Sequence, residues 1–252
     1  MTHDELIATA RTALACLDLT SLNDNDTTAD IHKLCARAQG VHGHTAAVCV
    51  WPRFAKLARS LLPDSVAVAA VANFPDGSSD IDRAVRDTRE IVDAGVQEVD
   101  VVFPWRDFAA APALLAAVRQ ACTGLRLKVI LETGELQDEL RIGHACRIAL
   151  DAGADFLKTS TGKTPVSATP DAARVLLGAI ATDAAVCSHV GFKPSGGIRT
   201  VADAALYIGL TRDALGAEAV TPQRFRIGAS ALLNDIEAVL GDAGRPAAAT
   251  GY

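Results

Sequence analysis

Eight short apolar runs recur along the chain, each followed by a polar turn and then by an amphipathic stretch long enough for a helix. The runs predict strands over 14–18, 45–50, 66–72, 98–103, 127–132, 155–160, 188–192 and 224–227. Helical periodicity fills the intervals near 28–39, 52–62, 79–94, 109–123, 136–152, 169–182 and 200–215, and a last helix follows near 229–240. Strict alternation of strand and helix argues for a parallel sheet. Eight such units argue further for closure into an α/β fold of the single (β/α)8, or TIM, barrel type, with an additional helix at the N-terminus. A doubly wound open sheet is the alternative. No Gly-x-Gly-x-x-Gly follows the first run to support a dinucleotide-binding version of it.

Local punctuation agrees with this scheme. Thr27-Thr28, Ser78-Ser79 and Thr169-Pro170 are suited to opening helices. Gly40, Gly95 and Gly153 fall where helices should stop. Val92-Asp93-Ala94-Gly95 and Leu150-Asp151-Ala152-Gly153 repeat one motif, each ending a helix just before a strand. No low-complexity linker splits the 252 residues, so 1–252 is expected to form one barrel domain. The segment 241–252, rich in Gly, Ala and Pro, reads as a mobile tail.

Charge and composition narrow the partners. A net charge of -6 disfavours sequence-independent binding to nucleic acid and docking to an anionic membrane. It leaves room for a small anionic substrate, which needs only a local positive pocket. No apolar run approaches the length of a membrane span, about 20 residues. The six cysteines are scattered without a CxxC, and the first residues are acidic where a secretory leader would be basic. Free buried thiols and a cytoplasmic location are therefore expected.

Three charged residues stand out within apolar strands. Lys158 lies in Asp155-Phe156-Leu157-Lys158-Thr159-Ser160, where an ammonium group is costly to bury. Desolvation lowers a lysine's pKa, and a neutral amine attacks carbonyls. The plainer alternative is a strand-edge lysine whose head reaches water. Asp100, set among Val99, Val101 and Val102, must face a polar interior or pair with a cation. Lys193, in Gly191-Phe192-Lys193-Pro194, takes the corresponding place one strand after Lys158, or else is a loop lysine facing water. On inward positions of strands four, six and seven, the three would meet at the barrel mouth. A free amine, a cationic neighbour and a carboxylate are what imine-forming catalysis requires.

A second group suggests an anion site. Gly162 and Lys163 follow the sixth strand, Gly196 and Gly197 with Arg199 follow the seventh, and Gly228 and Ser230 follow the eighth. Glycine lets backbone N–H groups approach a phosphate, and a helix N-terminus favours its charge. For any one glycine, a simple turn is the alternative. Asp18 ends the first strand, where it either contacts substrate or fixes the turn. Glu132 and Glu135 end the fifth strand, where they either line the mouth or cap the next helix, with capping the preferred role. Cys49 on the second strand is expected to face the interior. His42 and His44 have no third ligand at useful spacing, so no metal is expected.

The segments 98–104, 132–136, 155–163 and 191–199 resemble the motifs of the deoxyribose-phosphate aldolase family, as do Leu17-Asp18-Leu19-Thr20, Asn73-Phe74-Pro75 and the terminal Tyr252. The likeness runs in order from about residue 10 to the end. It implies a cofactor-free, metal-free class I aldolase, a homodimer, that interconverts 2-deoxy-D-ribose 5-phosphate with D-glyceraldehyde 3-phosphate and acetaldehyde. On this resemblance Lys158 is similar to the Schiff-base lysine. Lys193 is similar to the second lysine, which depresses its pKa and moves protons, and Asp100 to the acid/base that works with a water. Gly162, Lys163, Gly196, Gly197, Arg199, Gly228, Ser230 and Asp18 become the phosphate and substrate contacts. Tyr252 becomes a proton-transfer residue on the tail. One departure is Ala231, where many relatives carry a second serine.

Overall fold

In the computed structural model, residues 1–242 are described. Among them, eight parallel strands form the barrel: β1 (Leu17–Thr20), β2 (Ala47–Val50), β3 (Ala67–Ala72), β4 (Glu98–Val102), β5 (Arg126–Ile130), β6 (Phe156–Lys158), β7 (Gly191–Lys193) and β8 (Ile227–Ala229). The ladder runs from β8 through β1 and on to β7. Isolated parallel bridges, Phe192 with Phe225 and Ser195 with Gly228, close the seam between β7 and β8. The helices are α1 (His3–Ala15), α2 (Thr28–Arg37), α3 (Pro52–Leu61), α4 (Ile81–Asp93), α5 (Ala111–Ala121), the one-turn α6 (Thr133–Leu136), α7 (Glu139–Asp151), α8 (Pro170–Ala181), α9 (Val201–Leu215) and α10 (Leu232–Asp242). The expected extra N-terminal helix is α1, which packs on α9 and α10.

Strand alternation sorts the side chains. Val99 and Val101 on β4, Leu127 and Val129 on β5, and Leu157 on β6 face outward into the layer shared with the helices. Their neighbours point inward, and the interior splits by chemistry. One part of its wall is apolar, built from Leu22, Cys49, Ala69, Val71, Phe74, Val102 and Ile130. The remainder is charged. Register does the rest: Asp100 lies opposite Lys128, Ile130 opposite Lys158, and Lys158 opposite Lys193.

The predicted strands all appear, three of them displaced toward the C-terminus. The first was expected from 14, but Leu14 is buried on the apolar face of α1. The seventh was expected from 188, but 183–190 is held in turns by bonds such as Cys187 N–H to Asp183 O at 2.8 Å. The eighth begins at Ile227 because 221–225 also turns, with Phe225 N–H donating to Thr221 O at 2.7 Å. Thr27 and Thr169 cap α2 and α8 as expected. Asp80 caps α4 in place of Ser78 or Ser79, because the Ser78 hydroxyl donates to Asn73 Oδ1 instead. Gly95 and Gly153 follow α4 and α7 in the left-handed region, with φ of 71° and 79°. Gly40 ends no helix and sits in a short hairpin, Gln39–Gly40 with Gly43–His44. Gly241 and Asp242, assigned to the tail, belong to α10. The rest of that segment, Tyr252 included, lies outside the described residues.

At the foot of the barrel, Phe156 has the guanidinium groups of Arg126 and Arg226 at 5.7 and 5.8 Å from its ring centre. Its ring needs the space that Gly191 leaves. A Cβ there would stand 2.5 Å from Phe156 Cε1 and 2.7 Å from Arg224 O. Gly191→Ala is therefore expected to cost about 1–3 kcal/mol by overpacking, a fall in Tm of roughly 2–12 °C. An unchanged thermal melt would show that the floor has room to relax.

Candidate active site

Asp100 stands at the centre of the charged interior. Its Oδ1 accepts from Lys128 Nζ at 2.8 Å, and its Oδ2 accepts from both Lys158 and Lys193 at 2.8 Å. Cys49, facing inward as expected, places its Sγ 3.9 Å from Oδ2. All three lysines are buried, and so are their partners. Lys193 also pairs with Asp18 at 2.5 Å, and Lys128 with Glu98 at 2.5 Å and Asp18 at 3.5 Å. Below them, Arg226 pairs with Asp18 at 2.6 Å and with Glu98 at 2.7 Å. Lys158 therefore differs from its neighbours: among the described residues its one carboxylate partner is Asp100, which it shares.

That difference decides which lysine pKa falls. Burial penalises every ammonium group here, because the water that solvated it is gone. For Lys193, burial is outweighed by Asp100 and Asp18, and its pKa rises. For Lys128, Asp100 and Glu98 likewise outweigh burial. For Lys158, burial prevails over the attraction of Asp100, the Lys193 charge pushes the same way, and the pKa falls. Burial also acts on the carboxyl groups, yet Lys128, Lys158 and Lys193 hold Asp100 well below the usual range. The same opposition, won by Lys128 and Arg226, brings Glu98 down to about 2. Burial pushes the Cys49 thiol up, so it stays protonated. The site thus sets a lysine whose proton is loosened beside one whose proton is held firmly.

A cavity of about 290 Å3 opens beside this cluster. Gly162, Lys163, Gly196, Gly197, Arg199, Gly228 and Ser230 all line it, and so does Ala231. Close backbone approach requires two of the glycines. Gly196 has φ 84°, and a Cβ on it would lie 2.5 Å from Ser167 Oγ. Gly228 runs so near Lys193 that a Cβ would meet its Cε at 3.1 Å. The start of α10, just beyond Ser230, lies at the rim, where a helix N-terminus favours an anion. Two cationic side chains, glycine backbone and a helix start make a pocket suited to a phosphate.

Two placements differ from expectation. Asp18 does not line the cavity; it is buried below, where its carboxylate serves Lys193 and Arg226. Glu132 occupies the N-cap position of α6, but its side chain caps nothing. Its Oε2 accepts from the Thr161 hydroxyl at 2.5 Å and its Oε1 from the Thr164 hydroxyl at 3.2 Å, which ties the end of β5 to the loop that carries Gly162 and Lys163. A left-handed φ of 56° at Glu132 turns the chain there. Thr20, Ser21 and Asn23 also line the cavity. Lys128, Glu98 and Arg226 are members of the cluster that the sequence analysis passed over. The signal was present, since Glu98 shares a strand face with Asp100, and Lys128 interrupts Leu127 and Val129 as Lys158 interrupts its own strand.

Residues 12–238 match the model of a family described as DeoC/LacD family aldolase. Among solved structures, a candidate deoxyribose-phosphate aldolase from Toxoplasma gondii ME49 superposes with a TM-score of 0.85 at 24% identity, over 95% of this chain and 98% of that one. The tetrameric deoxyribose phosphate aldolase from Aeropyrum pernix gives 0.72 at 24%, over 94% and 98%. A protein described as QR15, an aldolase, gives 0.77 at 28%, over 92% and 97%. At these identities, the first two speak to the shared barrel.

Asp18, Glu98 and Asp100 titrate lower in the fold than in the unfolded chain, so their stabilisation is complete only above the unfolded values. For Glu98, it drains away as pH falls from 4.5 toward about 2. Thermal melts should show Tm dropping steeply across that interval, and a flat Tm would contradict the buried ion pairs.

Proposed function

Since the chain belongs to the DeoC/LacD family of aldolases, we propose that it is a deoxyribose-phosphate aldolase, which reversibly cleaves 2-deoxy-D-ribose 5-phosphate to D-glyceraldehyde 3-phosphate and acetaldehyde. The observation that carries this is the pairing of Lys158 with Lys193 across β6 and β7, both on Asp100 Oδ2, beside a phosphate-sized cavity. Lys163, Arg199 and the glycine loops bind the 5-phosphate. That anchor delivers the sugar's open-chain aldehyde to the amine of Lys158.

The neutral Lys158 amine adds to C1, and loss of water gives a protonated imine. The imine draws electrons as the C2–C3 bond breaks. Once Lys158 is held in the imine, its nitrogen keeps a single N–H and Asp100 Oδ2 has room for a water, through which the C3 hydroxyl proton passes to the carboxylate as glyceraldehyde 3-phosphate leaves. Lys193, still charged, supplies a proton toward the carbinolamine and enamine stages. Protonation of the enamine and hydrolysis release acetaldehyde and restore the amine. The apolar wall of Leu22, Val71, Phe74 and Ile130 keeps water scarce around these charges, where each electrostatic contact counts for more. By the family resemblance, Tyr252 assists proton transfer at the enamine carbon. By the same resemblance, the protein works as a cytoplasmic homodimer without cofactor or metal. Among the described residues, no helix is long and apolar enough to cross a membrane.

Acetaldehyde release from 2-deoxyribose 5-phosphate tests the reaction, and borohydride reduction during turnover should leave an adduct on Lys158. Lys158→Leu should lower kcat at least about a thousand-fold while the far-ultraviolet spectrum is kept. Substantial residual turnover would remove Lys158 from the chemistry. At the phosphate end, Ala231→Ser should lower KM roughly five-fold, the worth of one added hydrogen bond of about 1 kcal/mol. An unchanged KM would place the phosphate away from the start of α10.

A further inference from the structure

The ion cluster continues well beyond the groups that would touch substrate. Three buried carboxylates, Asp18, Glu98 and Asp100, face four buried cations, Lys128, Lys158, Lys193 and Arg226. The tally leaves one cation in excess. A fifth, Arg126, reaches Glu98 at 2.7 Å from the basal end, with its side chain 33% exposed. Arg126 and Arg226 both line a basal cleft at the opposite end of the barrel from the phosphate pocket. Solvent is therefore linked to the reactive amine through an unbroken run of contacts: Arg126, Glu98, Lys128, Asp100, Lys158.

In a low-dielectric interior such a cluster must stay near neutrality, so its members share one proton balance rather than titrating alone. Lys158 is the cation with the weakest hold on a carboxylate, and it is the one that yields its proton. The groups facing it are Asp100 from β4, Lys193 from β7, the Cys49 thiol from β2 and the Glu132 carboxyl after β5. None of these is surplus. The excess charge is set lower down, by the count of arginines against Glu98.

We infer that Glu98, Arg226 and Arg126, none of which lines the substrate cavity, are positioning residues that fix the charge balance of the lysine cluster and so set the pH at which Lys158 becomes a free amine. This inference rests on Lys158 being the imine-forming residue. Its signature is a pair of opposite shifts. Removing a carboxylate enlarges the positive excess and favours loss of a proton from Lys158. Removing an arginine reduces the excess and lets Lys158 keep its proton to higher pH.

The test is the pH dependence of Lys158 ethylation by acetaldehyde and cyanoborohydride, read by peptide mass mapping in the full-length protein. Glu98→Gln should move the midpoint down, and Arg126→Gln should move it up, each by about half a pH unit or more. Arg126→Lys should return it toward the parent value. Arg126 is partly exposed, so Arg126→Gln can be tested even if Arg226→Met and Glu98→Gln fail to fold. A general loss of structure would lower Tm without producing opposite midpoint shifts. If Arg126→Gln leaves the midpoint unchanged or lowers it, the inference is overturned. If Lys158 in the parent is not ethylated at any pH, the imine-forming role itself fails, and the inference with it.

Discussion

One carboxylate holds the barrel interior together. Asp100 accepts from three lysine ammonium groups, and without it those groups would face one another across neighbouring strands in a space closed to water. Removing a single partner from a buried ion pair typically costs about 3–5 kcal/mol, because it strands a charge. Here one oxygen pair neutralises several strands at once, so the charged layer stands or falls as a unit. The cluster is therefore costly as a source of stability and makes sense as a device for holding one amine short of a partner.

The division of the interior follows from that device. Apolar side chains of β2 to β5 form one part of the wall, while the lysines and their carboxylates occupy the rest. The lysine cluster and the glycine-lined cavity are thereby placed next to each other but built from different structure. The amine is aimed by rigid strand residues, whose positions are fixed by sheet register. The anion pocket is made from loops after β6, β7 and β8, where glycine permits the backbone to come close. Glu132 joins the two, since its carboxylate braces the loop after β6 from the end of β5.

Much of this was legible from residue order. Val99 and Val101 flanking Asp100, and the apolar residues before Lys158, mark charges forced into strands, and two charged residues in corresponding places on successive strands point to a shared site. The same rule applied to Leu127-Lys128-Val129 would have found Lys128, and applied to Glu98 would have found its carboxylate. Arg226, between Phe225 and Ile227 in the predicted eighth strand, fits the same rule, but its partners Asp18 and Glu98 lie far away in sequence and are given only by the fold. Glu132 was misassigned for a related cause. Its position before a helix matches a cap, but a left-handed φ at Glu132 itself sends its side chain toward Thr161, a contact 29 residues distant.

The order of apolar runs and turns by itself determined eight alternating strand–helix units, and the residue types at Asp100, Lys158 and Lys193 determined that charge would be buried among them. Side-chain alternation and glycine placement are local properties, so they survive in a one-dimensional record. Tertiary structure alone decided which lysine would hold its proton least firmly. That outcome depends on how many carboxylates each ammonium group reaches across the barrel, a distance-dependent electrostatic competition among residues as far apart in the chain as Asp18 and Arg226.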